Sequence, residues 1–149
     1  MIIDHGVVTI NSNIIDYANS IKFENYKVNT PAKFQINSAN KTICGDLMQQ
    51  IGYLTGKSFD LLDFVFFSVC NGAEPHTDLL DPAVFEDTTY VIPVILPTGT
   101  SIITAEDVSV VTQPGHVYEF DHTKLHSMVL EDTSSGCVVI MVAVKRQRL

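Results

Sequence analysis

The sequence predicts a mostly β fold, a double-stranded β-helix in which two jelly-roll sheets close on each other, preceded by one or two supporting helices. Two observations predict it. After residue 58 the chain breaks into short runs rich in Val, Ile, Thr, Tyr and Phe, set at roughly ten-residue spacing and separated by turn signals, as in folds built of many short strands. Ahead of them, Ile43, Leu47, Ile51 and Leu54 recur at the spacing of one helix face.

Taken in order, residues 6–10 and 13–18 are enriched in β-branched side chains around a turn at Asn11-Ser12. Period alone does not decide between helix and strand for residues 13–23. Residues 25–31 are polar and end in a loop signal at Pro31. Asn40 is placed to cap a helix over residues 41–55, and Gly56 to stop it. Residues 59–70 are apolar and aromatic, the composition of a buried strand. Asn71-Gly72 turns the chain. Residues 79–87 are acidic and broken by Asp81-Pro82, a loop or short helix; solvation explains Asp81, Glu86 and Asp87, although together they would also favour a cationic substrate. Residues 88–96 are a strand in which Pro93 demands an edge position or a bulge. A turn at residues 97–100 leads to short strands at 101–104 and 108–111, and the last strand runs over residues 137–144.

Composition limits the function. Nine Lys and Arg against 17 Asp and Glu give a formal net charge of −8, so no nucleic-acid partner is expected. A hydrophobic fraction of 46% with 17% charged residues describes a packed globular chain. Cys44, Cys70 and Cys137 form no Cys-x-x-Cys pair, and Cys70 and Cys137 lie in apolar runs, as buried free thiols of a reducing cytoplasm do. Met1-Ile2-Ile3-Asp4-His5 lacks the basic start of a secretory leader, and residues 137–144 are too short an apolar run to cross a bilayer. A soluble, cytoplasmic protein without a membrane partner is the expectation.

The chemistry centres on Glu74-Pro75-His76-Thr77-Asp78. Residues two apart on a strand share a face, so His76 and Asp78 can offer an imidazole nitrogen and a carboxylate oxygen to one point. His126 is the best third ligand. Two histidines and a carboxylate on one face of a metal leave open positions, the donor set of non-heme Fe(II) oxygenases. His122, four residues before His126, is spaced for a helix in a segment that reads as strand end and loop. His5 carries no chemistry in this reading.

From residue 64 to about residue 144 the order of features resembles the 2-oxoglutarate/Fe(II)-dependent dioxygenase superfamily, in the manner of a small, stand-alone, prolyl-hydroxylase-like member. An apolar strand and a Gly turn lead to His76-Thr77-Asp78; Gln113-Pro114-Gly115 and the strand ending in Phe120-Asp121 follow; His126 stands at the distal histidine's place before the final strand. The resemblance implies a cupin-like barrel and His76, Asp78 and His126 as metal ligands and catalytic centre. Tyr90 would sit near where related members place a tyrosine that touches the co-substrate. It further implies Fe(II) and 2-oxoglutarate as cofactors, and oxidative decarboxylation coupled to hydroxylation of a small-molecule, peptide or protein side-chain substrate. His116 would be an alternative ligand in a cupin, but the cupin His-x-His is absent.

The sequence departs from that family at one point. The far carboxylate of 2-oxoglutarate is usually anchored by Arg or Lys on the last strand or on a strand after His-x-Asp, yet residues 79–123 and 127–144 hold no basic residue. Lys145 or Arg146 folding back, Lys33 reaching in from the N-terminal half, or hydroxyls such as that of Tyr90 could replace it. The alternative is a metal-binding jelly roll of the same fold that no longer uses 2-oxoglutarate, acting as a binding module or another kind of metal enzyme. One domain over residues 1–149 is expected, with N-terminal strands and support helix over 1–58, a metal-binding core over 59–144 and a basic tail over 145–149. Exposed apolar strands allow a homodimer.

Overall fold

The computed structural model describes residues 1–25, 32–35 and 41–147. Asn40, the loop expected to end at Pro31, and the last two residues lie outside them.

Among the described residues, ten strands and two α-helices follow in order: β1 (Ile3–Val7), α1 (Ser12–Asn25), β2 (Ala32–Gln35), α2 (Gly45–Thr55), β3 (Leu62–Cys70), β4 (Ala73–His76), β5 (Phe85–Ile95), β6 (Ser101–Ala105), β7 (Val108–Val111), β8 (His116–Asp121), β9 (His126–Leu130) and β10 (Cys137–Lys145). They form two antiparallel sheets, β1-β8-β5-β10-β3-β2 and β4-β9-β6-β7. From β3 onward the chain passes repeatedly between the sheets, and that alternation is the jelly roll the strand spacing predicts.

The N-terminal ambiguity resolves as helix. Asn11, read as a turn residue, caps α1 by accepting the Ile14 N–H on its side-chain oxygen at 2.9 Å. The first strand is Ile3–Val7, earlier in the chain than the β-branched run suggests. The second helix begins as a 3-10 turn over Lys41–Cys44. It ends where expected: Gly56 takes a left-handed φ of 75° and its N–H bonds back to Gly52.

Pro93 meets both conditions that a proline in a strand requires. Although β5 lies inside the larger sheet, β8 pairs only with Thr88 to Val91, and the β5–β10 register slips between Val138 and Val139, opposite Pro93.

Alternation along the strands divides the interior in two. Val138, Ile140 and Val142 of β10 and Tyr90 and Ile92 of β5 face the helices, meeting Ile14 and Ala18 of α1 and Leu47 and Ile51 of α2. Cys137 and Val139 of β10, with Val91 of β5, face the smaller sheet and meet Ile103, Met128 and Leu130. The helices therefore support the larger sheet from outside, and the chamber between the sheets is left for the site. No helix among the described residues is long and apolar enough to cross a membrane.

Candidate metal centre

His76 closes β4 and His126 opens β9, and the two are paired directly across the strands. Facing residues in such a pair have their side chains on the same side, so the register brings the imidazoles together with ring centroids 4.4 Å apart. Asp78 arrives differently from the expected strand alternation. The strand ends at His76, and Asp78 sits in the following coil, where its backbone N–H donates to the His122 carbonyl at 3.0 Å. Asp78 Oδ1 lies 3.4 Å from His76 Nε2 and 3.5 Å from His126 Nε2. One ligand atom from each of the three residues falls within 4.8 Å of the others.

Hydrogen bonds set the chemistry of those atoms. His76 Nδ1 is 2.6 Å from the Glu74 carbonyl, and His126 Nδ1 is 2.8 Å from the Lys124 carbonyl. A carbonyl only accepts, so each Nδ1 carries a proton, and in the neutral ring each Nε2 presents a lone pair. Two lone pairs and a carboxylate oxygen thus converge on one point, which is repulsive without a cation between them. The separations of 3.4 and 3.5 Å are too long for charge-assisted hydrogen bonds, which run at about 2.7–2.9 Å. These two separations are close to the roughly 3.0–3.4 Å at which donors about 2.1 Å from a shared ion stand at angles of 90–110°, while the full set, spread over up to 4.8 Å, would draw together on binding one. The residues fit a divalent transition metal, and the two carbonyls supply the outer contacts that hold metal-binding histidines in register.

Access to the three groups is graded, with side-chain exposures of 40% for His76, 15% for Asp78 and 6% for His126. The site opens on a cavity of about 820 Å³ between the sheets. Phe120 packs against His126 at 4.7 Å between ring centroids. Around it, Val91, Ile103, Met128, Leu130 and Val139 are buried and line the cavity. Polar lining residues include Asn71, Glu74 and Thr133, of which Glu74 and Thr133 are exposed. Among the described lining residues there is no Lys or Arg.

Tyr90 is corrected by the structure. It is fully buried on the helix side of β5, among residues of the outer core, while its neighbour Val91 lines the cavity. Burial, reinforced by the charges of Glu119 and Glu86 and opposed by the nearby Thr55 side chain, pushes its phenol up to about 12. It is a core residue, not a co-substrate contact. The two C-terminal replacements for the missing anchor are also engaged elsewhere. Lys145 pairs with Asp63 at 2.7 Å, and Arg146 donates through Nε to the Pro82 carbonyl at 2.6 Å. Lys33 is placed by backbone register opposite Ser68, a cavity-lining position; its side chain lies outside the described residues.

The remaining histidines are accounted for individually. His5 pairs with Glu119 at 2.8 Å, and His116 with Asp4 at 3.0 Å. His122 is buried, with Nε2 donating to the Glu86 carbonyl at 2.8 Å, and its own carbonyl is the one that holds Asp78. Sequence reasoning missed that supporting role, because it runs through the backbone and no residue type signals it. Asp81, within the acidic stretch, uses its carboxylate to accept the Ala83 N–H in a local turn.

No family model matches the sequence, and neither does any curated protein. Solved structures match in fold. A prolyl-4-hydroxylase from Pseudomonas putida superposes with a TM-score of 0.63 over 98% of this chain and 93% of its own, at 11% identity. YcfD from Escherichia coli, described as a ribosomal oxygenase, superposes with a TM-score of 0.55 and 14% identity over 85% of this chain, which spans only 36% of YcfD. A cupin superfamily protein from Desulfitobacterium hafniense gives a TM-score of 0.46 at 11% identity, covering 80% of this chain and 81% of its own. At such identities the likeness is one of fold.

Proposed function

We propose that the protein is a mononuclear non-heme Fe(II) oxygenase that uses a 2-oxo acid as co-substrate and hydroxylates a small molecule or a peptide side chain. The observation that carries this reading is the convergence of two imidazole lone pairs and one carboxylate at the mouth of an apolar cavity. Three protein ligands with open positions match the iron triad of oxygenases and exclude a closed structural zinc site; catalytic zinc shares the same donor set, and the choice of iron rests on the fold. The fold shared with a prolyl-4-hydroxylase supports the same reading.

In this reading His76, Asp78 and His126 hold the metal, which would supply oxygen activation. The chain does the rest. The Glu74 and Lys124 carbonyls keep Nδ1 protonated and both rings oriented, the His122 carbonyl fixes the segment bearing Asp78, and Phe120 braces His126. The apolar floor keeps water from the reacting groups. The buried thiols of Cys44, Cys70 and Cys137 favour work in a reducing compartment such as the cytoplasm.

The cavity's described lining favours a second reading, because it offers no cation to a dicarboxylate: a metal-binding jelly roll that does not use 2-oxoglutarate. Metal content tests the common core of both. Protein loaded with Fe(II) under anaerobic conditions should retain about one equivalent, and Asp78→Ala should lose it while keeping its far-ultraviolet circular dichroism. Full retention in Asp78→Ala would remove Asp78 from the site.

A further inference from the structure

Resting on the reading of His76, Asp78 and His126 as an iron centre, we propose that the 2-oxo acid taken up beside the metal is a monocarboxylate with an apolar tail and not the dicarboxylate 2-oxoglutarate. A 2-oxo acid chelates through its carboxylate and keto oxygen, so specificity lies in what surrounds its far end. In this cavity that surrounding is the buried group of Val91, Ile103, Phe120, Met128, Leu130 and Val139.

A second carboxylate there would lose its hydration to aliphatic carbon, with no Lys or Arg among the described lining residues to compensate. The ionised side chain of the lining is Glu74, exposed and of the wrong sign. Lys145 and Arg146 are tied to Asp63 and the Pro82 carbonyl, which leaves Lys33, opposite the lining residue Ser68 in register and with its side chain outside the described residues, as the one cation the test must address. An isopropyl group in the same place gains from every contact the carboxylate forfeits. At about 820 Å³ the cavity holds such a chelator and still leaves room for a substrate.

A matched pair of ligands tests this. In 5-methyl-2-oxohexanoate an isopropyl group replaces the far carboxylate of 2-oxoglutarate, and the chelating end is unchanged. Each is titrated into anaerobic Fe(II)-loaded protein while the visible charge-transfer band of the chelate is followed. The expected result is a saturating band with both, the isopropyl compound binding about tenfold tighter or more. Equal or tighter binding of 2-oxoglutarate overturns the inference and leaves the iron centre standing. A loss of that binding in Lys33→Met would then place the anchor on β2. No band with either ligand, on protein shown to carry iron, overturns it as well. Wild-type protein that retains no iron removes the metal reading itself.

Discussion

Gly72 shows how much of the site depends on a residue without chemistry. It turns the chain from β3 into β4 at a φ of 120°, and a Cβ there would stand 2.8 Å from the Met128 carbonyl oxygen of β9. Gly72→Ala therefore combines an unfavourable backbone conformation with a clash against backbone that cannot swing away. A loss of about 1–3 kcal/mol in urea unfolding is expected, together with weaker iron retention, since β4 carries His76. Tyr90→Phe should behave in the opposite way. It removes a buried hydroxyl that makes no well-formed hydrogen bond, beside the Thr55 and Glu119 side chains, so stability at neutral pH should change by no more than about 1 kcal/mol, with iron binding intact. A clear loss of iron in Tyr90→Phe would return the residue to the site. The contrast between Tyr90 and His126 marks what was legible at this scale. Residue type and order were enough to foresee that His76, Asp78 and His126 come together. For Tyr90 the strand was right but the face was wrong, and a shift of one residue is all that separates the cavity from the outer core.

Among the elements, the helices and the larger sheet form the foundation, and their anchor points are local. Asn11→Ala should cost about 1 kcal/mol of stability by removing the cap of α1, without touching metal affinity. Equal losses of stability and metal affinity would show that α1 reaches the site. The C-terminus of α2 at Gly56 and the irregularity at Pro93 were legible because glycine and proline act through their own backbone. The sequence disclosed β3, β5, β6, β7, β8 and β10, but its segment at His126 read as strand end and loop where β9 begins. It left α1 undecided, since Ile14, Ile15, Ala18 and Ile21 satisfy a helix face while remaining β-branched enough to read as strand. The placement of Asp78 was beyond it too. Strand alternation predicted the right neighbour for the wrong reason, as the strand stops at His76 and a long-range bond to His122 positions the carboxylate.

For the molecule as a whole, burial of ionisable groups sets the behaviour at high pH. Tyr90 is pushed from 10.0 to about 12 and Cys44 from 9.0 to about 11, in both cases because burial disfavours the charged form. The folded protein keeps protons that the unfolded chain releases, so stability must fall as pH rises. The decline begins near pH 9, where Cys44 would ionise if unfolded, and these two groups contribute no further loss beyond about pH 12. Urea midpoints measured up to pH 11 should therefore drop less steeply in Tyr90→Phe than in wild type. A parallel decline in both proteins would mean that the phenol ionises freely in the fold.

The four residues of β4 hang on the edge of the smaller sheet, bonded to β9 alone, and the two histidines face each other across that single pairing. An ion gripped there would work as a rivet between a loose border and a firm one. Starved of iron, the border should breathe, exchanging its amide hydrogens quickly and offering residues 77–84 to proteases; supplied with it, the same segment should close. The protein's resistance to proteolysis would then report whether its metal is in place.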